Sequence, residues 1–238
     1  MMLLSHNHAH FNPATAGATV ALDARFLTGF ADGDAVGTWT GRAGTSVSPT
    51  ESTNKPTYKA SVVNGRPAVR FASASSTKLE ASVTITGNAT FFMAGVCVSG
   101  QGYARYVSTG RGGNDYDDSS VIIPFLALDY VNKLMYSYCS GSFSLASASF
   151  STPLVASCVA NGSTGLLRVN GGTSATISVQ SLNINRLSIG SEPSGSGGGS
   201  SLADGDMCAV VVVPSAVSDA LRRRIEQSLA FSFRVACA

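Results

Sequence analysis

The stretch LLRVNGGTSATISV, residues 166–179, decides the fold class. Leu167 and Val169 alternate with Arg168 and Asn170, the period of two of a strand with one wet face. Asn170-Gly171 follows, and both residue types take the positive φ angles of a tight turn at little cost. The expectation is an antiparallel hairpin, with 166–170 paired to 173–179. Short apolar runs of the same kind recur along the chain, among them TVALDA (19–24), AVRF (68–71), TFFMAGVCV (90–98), RYVST (105–109), VIIPFLAL (121–128), KLMYSY (133–138), LVASCVA (154–160), RLSIG (186–190) and MCAVVVV (207–213). Clusters of Gly, Asn, Asp and Ser separate them, so the chain reads as all-β, a sandwich or barrel.

The composition agrees. Hydrophobic residues make up 44% of the 238 residues, charged residues only 13%, and there are 25 glycines. That mixture suits short strands and many turns rather than a helical protein. A net charge of +2 is too small to make nucleic acid or an anionic membrane the main partner, and GRGGN (110–114) holds a single RGG unit. No run reaches the length of a membrane-crossing helix. MMLL is too short for the apolar core of a signal peptide, so the chain is expected to stay out of a secretory pathway, with the sequons at Asn88 and Asn161 unmodified. The five cysteines, Cys97, Cys139, Cys158, Cys208 and Cys237, form no CxxC pair. Cys97, Cys158 and Cys208 lie in apolar runs and read as small buried hydrophobes.

One segment has a helical period. In VSDALRRRIEQSLAFSF, Val217, Leu221, Ile225 and Leu229 recur every four residues, and Arg222, Arg223 and Glu226 fall outside that stripe. Ser218 is placed to cap the first amides, and Asp219 complements the positive end of the dipole. A helix over about 217–231 is therefore expected to lay its apolar stripe on the sandwich. SEPSGSGGGSSLADGD (191–206) is rich in glycine and serine and reads as a surface loop. The organisation expected is an extended N-terminal arm, 1–17, and one β-sandwich domain, 18–238.

The order of these features resembles a known family. TVALDARFLTGFADGDAVGTWTGRAG (19–44), KPTYKASVVNGRPAVRF (55–71), and the closing series LLRVNG, RLSIG and AVVVVPSAVSDALRRRIEQSLA resemble the concanavalin A-like, laminin G-like jelly rolls of phage virion and bacterial surface proteins. The resemblance spans about residues 18–232 and implies an antiparallel jelly-roll β-sandwich. It departs at TWTGRAG, where the family often carries an Asp in the turn after the tryptophan. That departure takes support from any polar or metal-binding role for this turn, and Trp39 is expected in the core.

The chemistry-bearing residues are sparse. None of Glu51, Glu80, Glu192 and Glu226 has a second carboxylate two residues away, so the paired carboxylates of a retaining glycosidase are missing. All three histidines, His6, His8 and His10, lie in the arm. A histidine-based nucleophilic mechanism therefore has no base in the body, and no serine sits in a GxSxG elbow. In an extended arm the three histidines would span ~13 Å, too far for one tetrahedral ion. Asp115, Asp117 and Asp118 in NDYDD offer carboxylate oxygens of the kind calcium takes, and DGD at 204–206 could add to them if the loops meet. Tyr103, Tyr106 and Tyr116 could stack on sugar rings if exposed, or simply fill strands.

The sequence thus leads to a non-enzymatic structural protein of a phage particle, a capsid decoration or cement protein. It would be made in the host cytoplasm and carried on the virion surface. Leu3, Leu4 and Phe11 of the arm would bind neighbouring subunits, the major capsid protein or further copies of the chain as a homo-oligomer such as a trimer. The alternative is a carbohydrate-binding, lectin-like adhesin or tail-fibre module meeting a cell-surface glycan. A glycan-cleaving enzyme ranks third.

Overall fold

The computed structural model describes residues 12–49, 53–100, 104–110, 126–129, 134–139, 142–172, 175–178, 182–193 and 201–237. Among them, the chain forms β1 (Val20–Asp23), β2 (Trp39–Thr40), β3 (Ser46–Val47), β4 (Thr57–Val63), β5 (Arg66–Phe71) and β6 (Leu79–Gly87). Next come β7 (Ala89–Gly100), β8 (Ala104–Gly110), β9 (Leu126–Asp129), β10 (Leu134–Cys139) and β11 (Ser142–Ser147). The series closes with β12 (Pro153–Asn161), β13 (Thr164–Val169), β14 (Ala175–Ser178), β15 (Leu182–Ile189), β16 (Ala203–Val213) and the helix α1 (Asp219–Phe233).

These make the all-β antiparallel sandwich that the periodicity predicts. One sheet runs β14-β13-β12-β7-β16-β5-β4, with β1 also on β16; the other runs β11-β10-β9-β8-β15-β6. On one edge of β16, β5 pairs with Gly205–Met207 and β1 with Ala209–Val212, so two strands share that edge end to end.

Alternation along the central strands sorts side chains into two apolar layers. Phe91 and Met93 of β7, with Val210 and Val212 of β16, join Trp39, Ile85, Leu187 and Ile189 between the sheets. Phe92 and Ala94 of β7, with Val211 and Val213 of β16, face the other way and pack with Ile225, Leu229 and Phe233 of α1. Each buried Val, Leu, Ile, Phe or Met side chain among them contributes about 1.5–3 kcal/mol when removed from water. The helix is thus a third layer, and Trp39 is fully buried as expected.

The 166–179 hairpin forms, with β13 and β14 paired antiparallel. Leu166 and Leu167 face Thr176 and Ala175, Asn170 and Gly171 have φ of 51° and 70°, and the Gly172 N–H donates to the Val169 carbonyl at 3.0 Å. Asn170 itself leaves the hairpin. Its N–H and its Oδ1 bind the Val155 carbonyl and N–H, each at 2.8 Å, and so tie the turn to β12. The Asn64-Gly65 turn between β4 and β5 repeats the positive φ pair at 50° and 75°.

The reading of 191–206 as a loop is corrected at both ends, and one strand that it did not name is added. Residues 203–206 are not loop but the start of β16, because Asp204 and Asp206 find partners within the sandwich. Ser191, Glu192 and Pro193, read as the start of that loop, are buried. β6 (LEASVTITG) escaped notice because Ala, Ser and Thr blur its alternation, yet Leu79, Val83 and Ile85 are core residues.

Gly190 follows β15 with φ +87°, and a Cβ there would stand 2.2 Å from the Phe71 ring. Gly190→Ala therefore combines backbone strain with overpacking. Its expected cost is about 2 kcal/mol or more in a urea unfolding experiment. A substitution within 0.5 kcal/mol of wild type would contradict this packing.

Candidate functional site

The helix begins where its sequence says it should. Ser218 is extended, and its side-chain oxygen accepts the Leu221 N–H at 3.3 Å. The far end closes with Arg234 in the left-handed region at φ 55° and the Val235 N–H on the Ala230 carbonyl at 2.8 Å.

Arg222 and Glu226 overturn the expectation that they lie outside the buried stripe. Both are only 2% exposed, beneath the helix against β12. Their one-turn spacing lets an Arg222 Nη donate to Glu226 at 2.5 Å. The Ser157 hydroxyl of β12 donates to the other Glu226 oxygen. Arg222 also reaches Asp219 at 2.8 Å, and Arg223 binds the second Asp219 oxygen. Burial works against the Arg222 charge, but hydrogen bonds to Asp219 and Glu226 outweigh it and hold the guanidinium above its ordinary range. The Arg222 hydrogen bond holds the Asp219 carboxyl below the ordinary carboxylate range, aided by the charges of Arg222, Arg223 and Arg168.

A cleft of about 330 Å³ opens between this end of the helix and the β12–β13 turn. Val159, Leu166 and Val217 supply an aliphatic floor, and Asn161, Thr164, Ser218 and Asp219 supply polar groups, with Arg222 also in the lining. The turn is fixed from below by the Asn88 Oδ1, which accepts the Gly162 N–H at 2.8 Å. An ionised carboxylate, an amide and two hydroxyls around an aliphatic floor can bond neighbouring hydroxyl groups while the floor takes a C–H face. Asp219, kept ionised by its arginines, is a poor proton donor for general acid catalysis.

A second polar cluster lies on the outer face of the six-stranded sheet. Arg105 and Glu192 form a buried ion pair at 2.7 Å. The Ser108 hydroxyl donates to the Ser191 carbonyl at 2.6 Å, and the Ser188 and Ser191 hydroxyls lie 3.1 Å apart. These contacts strap residues 191–193 across β8 and β15. Nearby, β6 alternation puts Ser82, Thr84 and Thr86 in solvent.

The residues singled out in the sequence fare as follows. Tyr106 is 3% exposed, and its hydroxyl donates to the Asp204 carbonyl at 2.8 Å, so it fills the core instead of offering a stacking face. Burial raises its pKa and that of the Cys97 thiol beside it. Tyr103, Tyr116, Asp115, Asp117, Asp118, Leu3, Leu4, Phe11 and the three histidines lie outside the described residues. Asp204 and Asp206 are engaged by Ser73 and Arg70. Among the described residues, no group of three or more His, Cys, Asp or Glu could hold a metal ion. The DGD turn at 32–34 is structural, with Asp32 accepting the Ala60 N–H at 2.9 Å and Asp34 the Ala31 N–H at 2.7 Å. The cleft escaped the sequence because its parts come from 159–166 and 216–222. The signal that could have found it is the Arg222–Glu226 pair, spaced one turn apart in the strongest helix.

No family model matches the chain, and no curated protein does. Solved structures do. A GH54 α-L-arabinofuranosidase, soaked with a cyclic sulfate inhibitor, superposes over 93% of this chain and 65% of its own, with a TM-score of 0.57 at 10% identity. The Trypanosoma rangeli sialidase in complex with sialic acid superposes over 91% of this chain at a TM-score of 0.55 and 13% identity. This chain spans 33% of that enzyme. The carbohydrate-binding CBM40 of a Ruminococcus gnavus sialidase, bound to α2,3-sialyllactose, covers 60% of this chain and 84% of its own at 13% identity, with a TM-score of 0.48. At these identities the likeness is one of fold.

Two measurements check the site. Glu226→Ala leaves a buried guanidinium without its main partner, and is expected to cost about 3–5 kcal/mol in denaturant unfolding. Replacing both partners by Met and Leu is expected to recover most of that loss. For Asp219 the folded-state pKa is depressed, so its stabilising effect is complete above the ordinary aspartate range, near about 4. That effect is lost as pH falls through the lower folded value. A carboxyl NMR titration should place the Asp219 midpoint below the ordinary aspartate value of about 4; a midpoint at or above it would contradict the arginine contacts.

Proposed function

We propose that this chain is a non-catalytic carbohydrate-binding module of lectin type, with the cleft at the start of α1 as its sugar site. The cleft carries the proposal. It pairs a fixed, ionised carboxylate, an amide and two hydroxyls with an aliphatic floor, and a sugar presents the complement: neighbouring hydroxyls on one side and C–H groups on another. Its volume lies at the lower end of the range for small-ligand pockets, about 300–1,000 Å³, and suits one or two sugar residues. The β-sandwich likeness to the arabinofuranosidase and the T. rangeli sialidase adds support, since both names denote sugar-processing proteins. The decoration-protein reading rests on the sequence resemblance, and the described residues add nothing to it. The arm residues assigned to that contact, Leu3, Leu4 and Phe11, lie outside them.

A glycan array, run with and without calcium, tests the proposal. It should return a restricted set of ligands whose binding does not need the cation. Asn161→Ala, an exposed change at the rim, should weaken the best of them by about tenfold, about 1.4 kcal/mol, with an unchanged circular dichroism spectrum. Unaltered binding in that variant would remove the cleft from the account, and binding to no glycan would remove the function.

A further inference from the structure

The turn at which the sequence departs from the family pattern, TWTGRAG, is built around Arg42. The Gly44 N–H donates to the Gly41 carbonyl at 3.2 Å, the Gly41 N–H to the Thr45 carbonyl at 3.0 Å, and the Arg42 N–H to the Ala21 carbonyl of β1 at 2.8 Å. A Cβ at position 41 would stand 2.1 Å from the Thr45 carbonyl oxygen, so only glycine fits there. The turn therefore holds the Arg42 backbone in one place on the surface.

Its side chain is held as well. The Arg42 guanidinium lies 4.2 Å from the centroid of Phe26, a ring that is 50% exposed. Arg25 follows at 5.6 Å from Phe26 and 5.1 Å from Phe233, which completes an alternating ladder of cations and rings at the end of α1. The two arginines differ in what they have left to give. Arg25 is spent on Asp23, with Nε at 3.0 Å from one carboxylate oxygen and Nη2 at 2.6 Å from the other. Arg42 is exposed, and among the described residues no carboxylate lies within ion-pair distance of it. Stacking uses the face of a guanidinium and leaves its N–H edge, whose fork matches a carboxylate.

We propose that Arg42, stacked on Phe26 and fixed by its glycine turn, is a second subsite that binds the carboxylate of an acidic sugar. It rests on the carbohydrate-binding reading above. It is separate from the cleft, lying by the opposite end of a fifteen-residue helix, about 22 Å away at 1.5 Å per residue. The half-exposed Phe26 edge beside the guanidinium offers apolar surface to the same ring.

The test uses the full chain, NMR amide and arginine Nε signals, and two disaccharides that differ only in a carboxylate replacing a hydroxymethyl group. The acidic sugar should shift the signals of residues 41–45 and the Arg42 Nε–H saturably, and the neutral one should shift only those around the cleft. Arg42→Gln should weaken the acidic site by about tenfold or more, and Arg42→Lys should recover only part of it, since a lysine cannot supply the bidentate fork. The side chain is exposed, so both variants should keep the wild-type melting temperature. Unshifted 41–45 signals, or an acidic site unchanged in Arg42→Gln, would overturn this proposal alone. Neither sugar moving any signal would overturn the carbohydrate reading with it. An acidic peptide that binds at Arg42 where the acidic sugar does not would overturn the sugar assignment in favour of a protein partner.

Discussion

Burial of β16 on both faces is the constraint on which the rest of the structure depends. Nearly every residue from Ala203 to Val213 is buried, with alternate side chains assigned to opposite apolar layers. A strand with that pattern needs cover on two sides. The six-stranded sheet supplies one, and α1 supplies the other. Its neighbour β7 has the same two-sided character, with Phe91 and Met93 facing the second sheet and Phe92 and Ala94 facing the helix. The helix is therefore part of the core's construction, and its position over β12, β7 and β16 follows from where the valines of β16 point.

That position has an electrostatic consequence. Laying a helix with three successive arginines on an apolar sheet brings one of them, Arg222, out of water. An isolated buried guanidinium is very costly, so it has to be paired and hydrogen-bonded. Glu226 one turn on, Ser157 from the sheet below and Asp219 at the helix start meet that need together. The same contacts keep Asp219 ionised and rigid where the helix stands clear of the β12–β13 turn. The cleft and its fixed carboxylate are by-products of seating the helix, and the proposed sugar site uses a polar group that the scaffold already holds rigid. The strap across the other sheet uses the same device, with Arg105 and Glu192 paired out of solvent.

Much of the fold was legible because it is carried by local signals. Asn170-Gly171 marked a turn, MCAVVVV a buried strand, and Ser218 with the Val217–Leu229 stripe a capped helix. What was lost depended on contacts distant in sequence. Arg222 and Glu226 look like solvated residues in any single-helix reading, and only Ser157, 69 residues away, reveals that they are buried. ADGD looks like a turn until Arg70 and Ser73 claim its carboxylates. Asn64-Gly65 carried the same turn signal as Asn170-Gly171, but the half-buried residues of β4 lack the apolar contrast that marks a strand. Tyr106 shows the limit most plainly: a tyrosine on an alternating strand faces core or solvent with equal ease, and the Asp204 carbonyl decides for the core.

The proposed sugar site depends on a helix seated by a buried ion network. A crystal structure with the tightest-binding sugar addresses it most directly. The sugar is expected between Asn161–Thr164 and the first turn of α1, with hydroxyls on Asp219 and Asn161 and a C–H face on Val159 and Val217. A sugar bound on the outer face of the six-stranded sheet, over Ser82, Thr84 and Thr86, would contradict it.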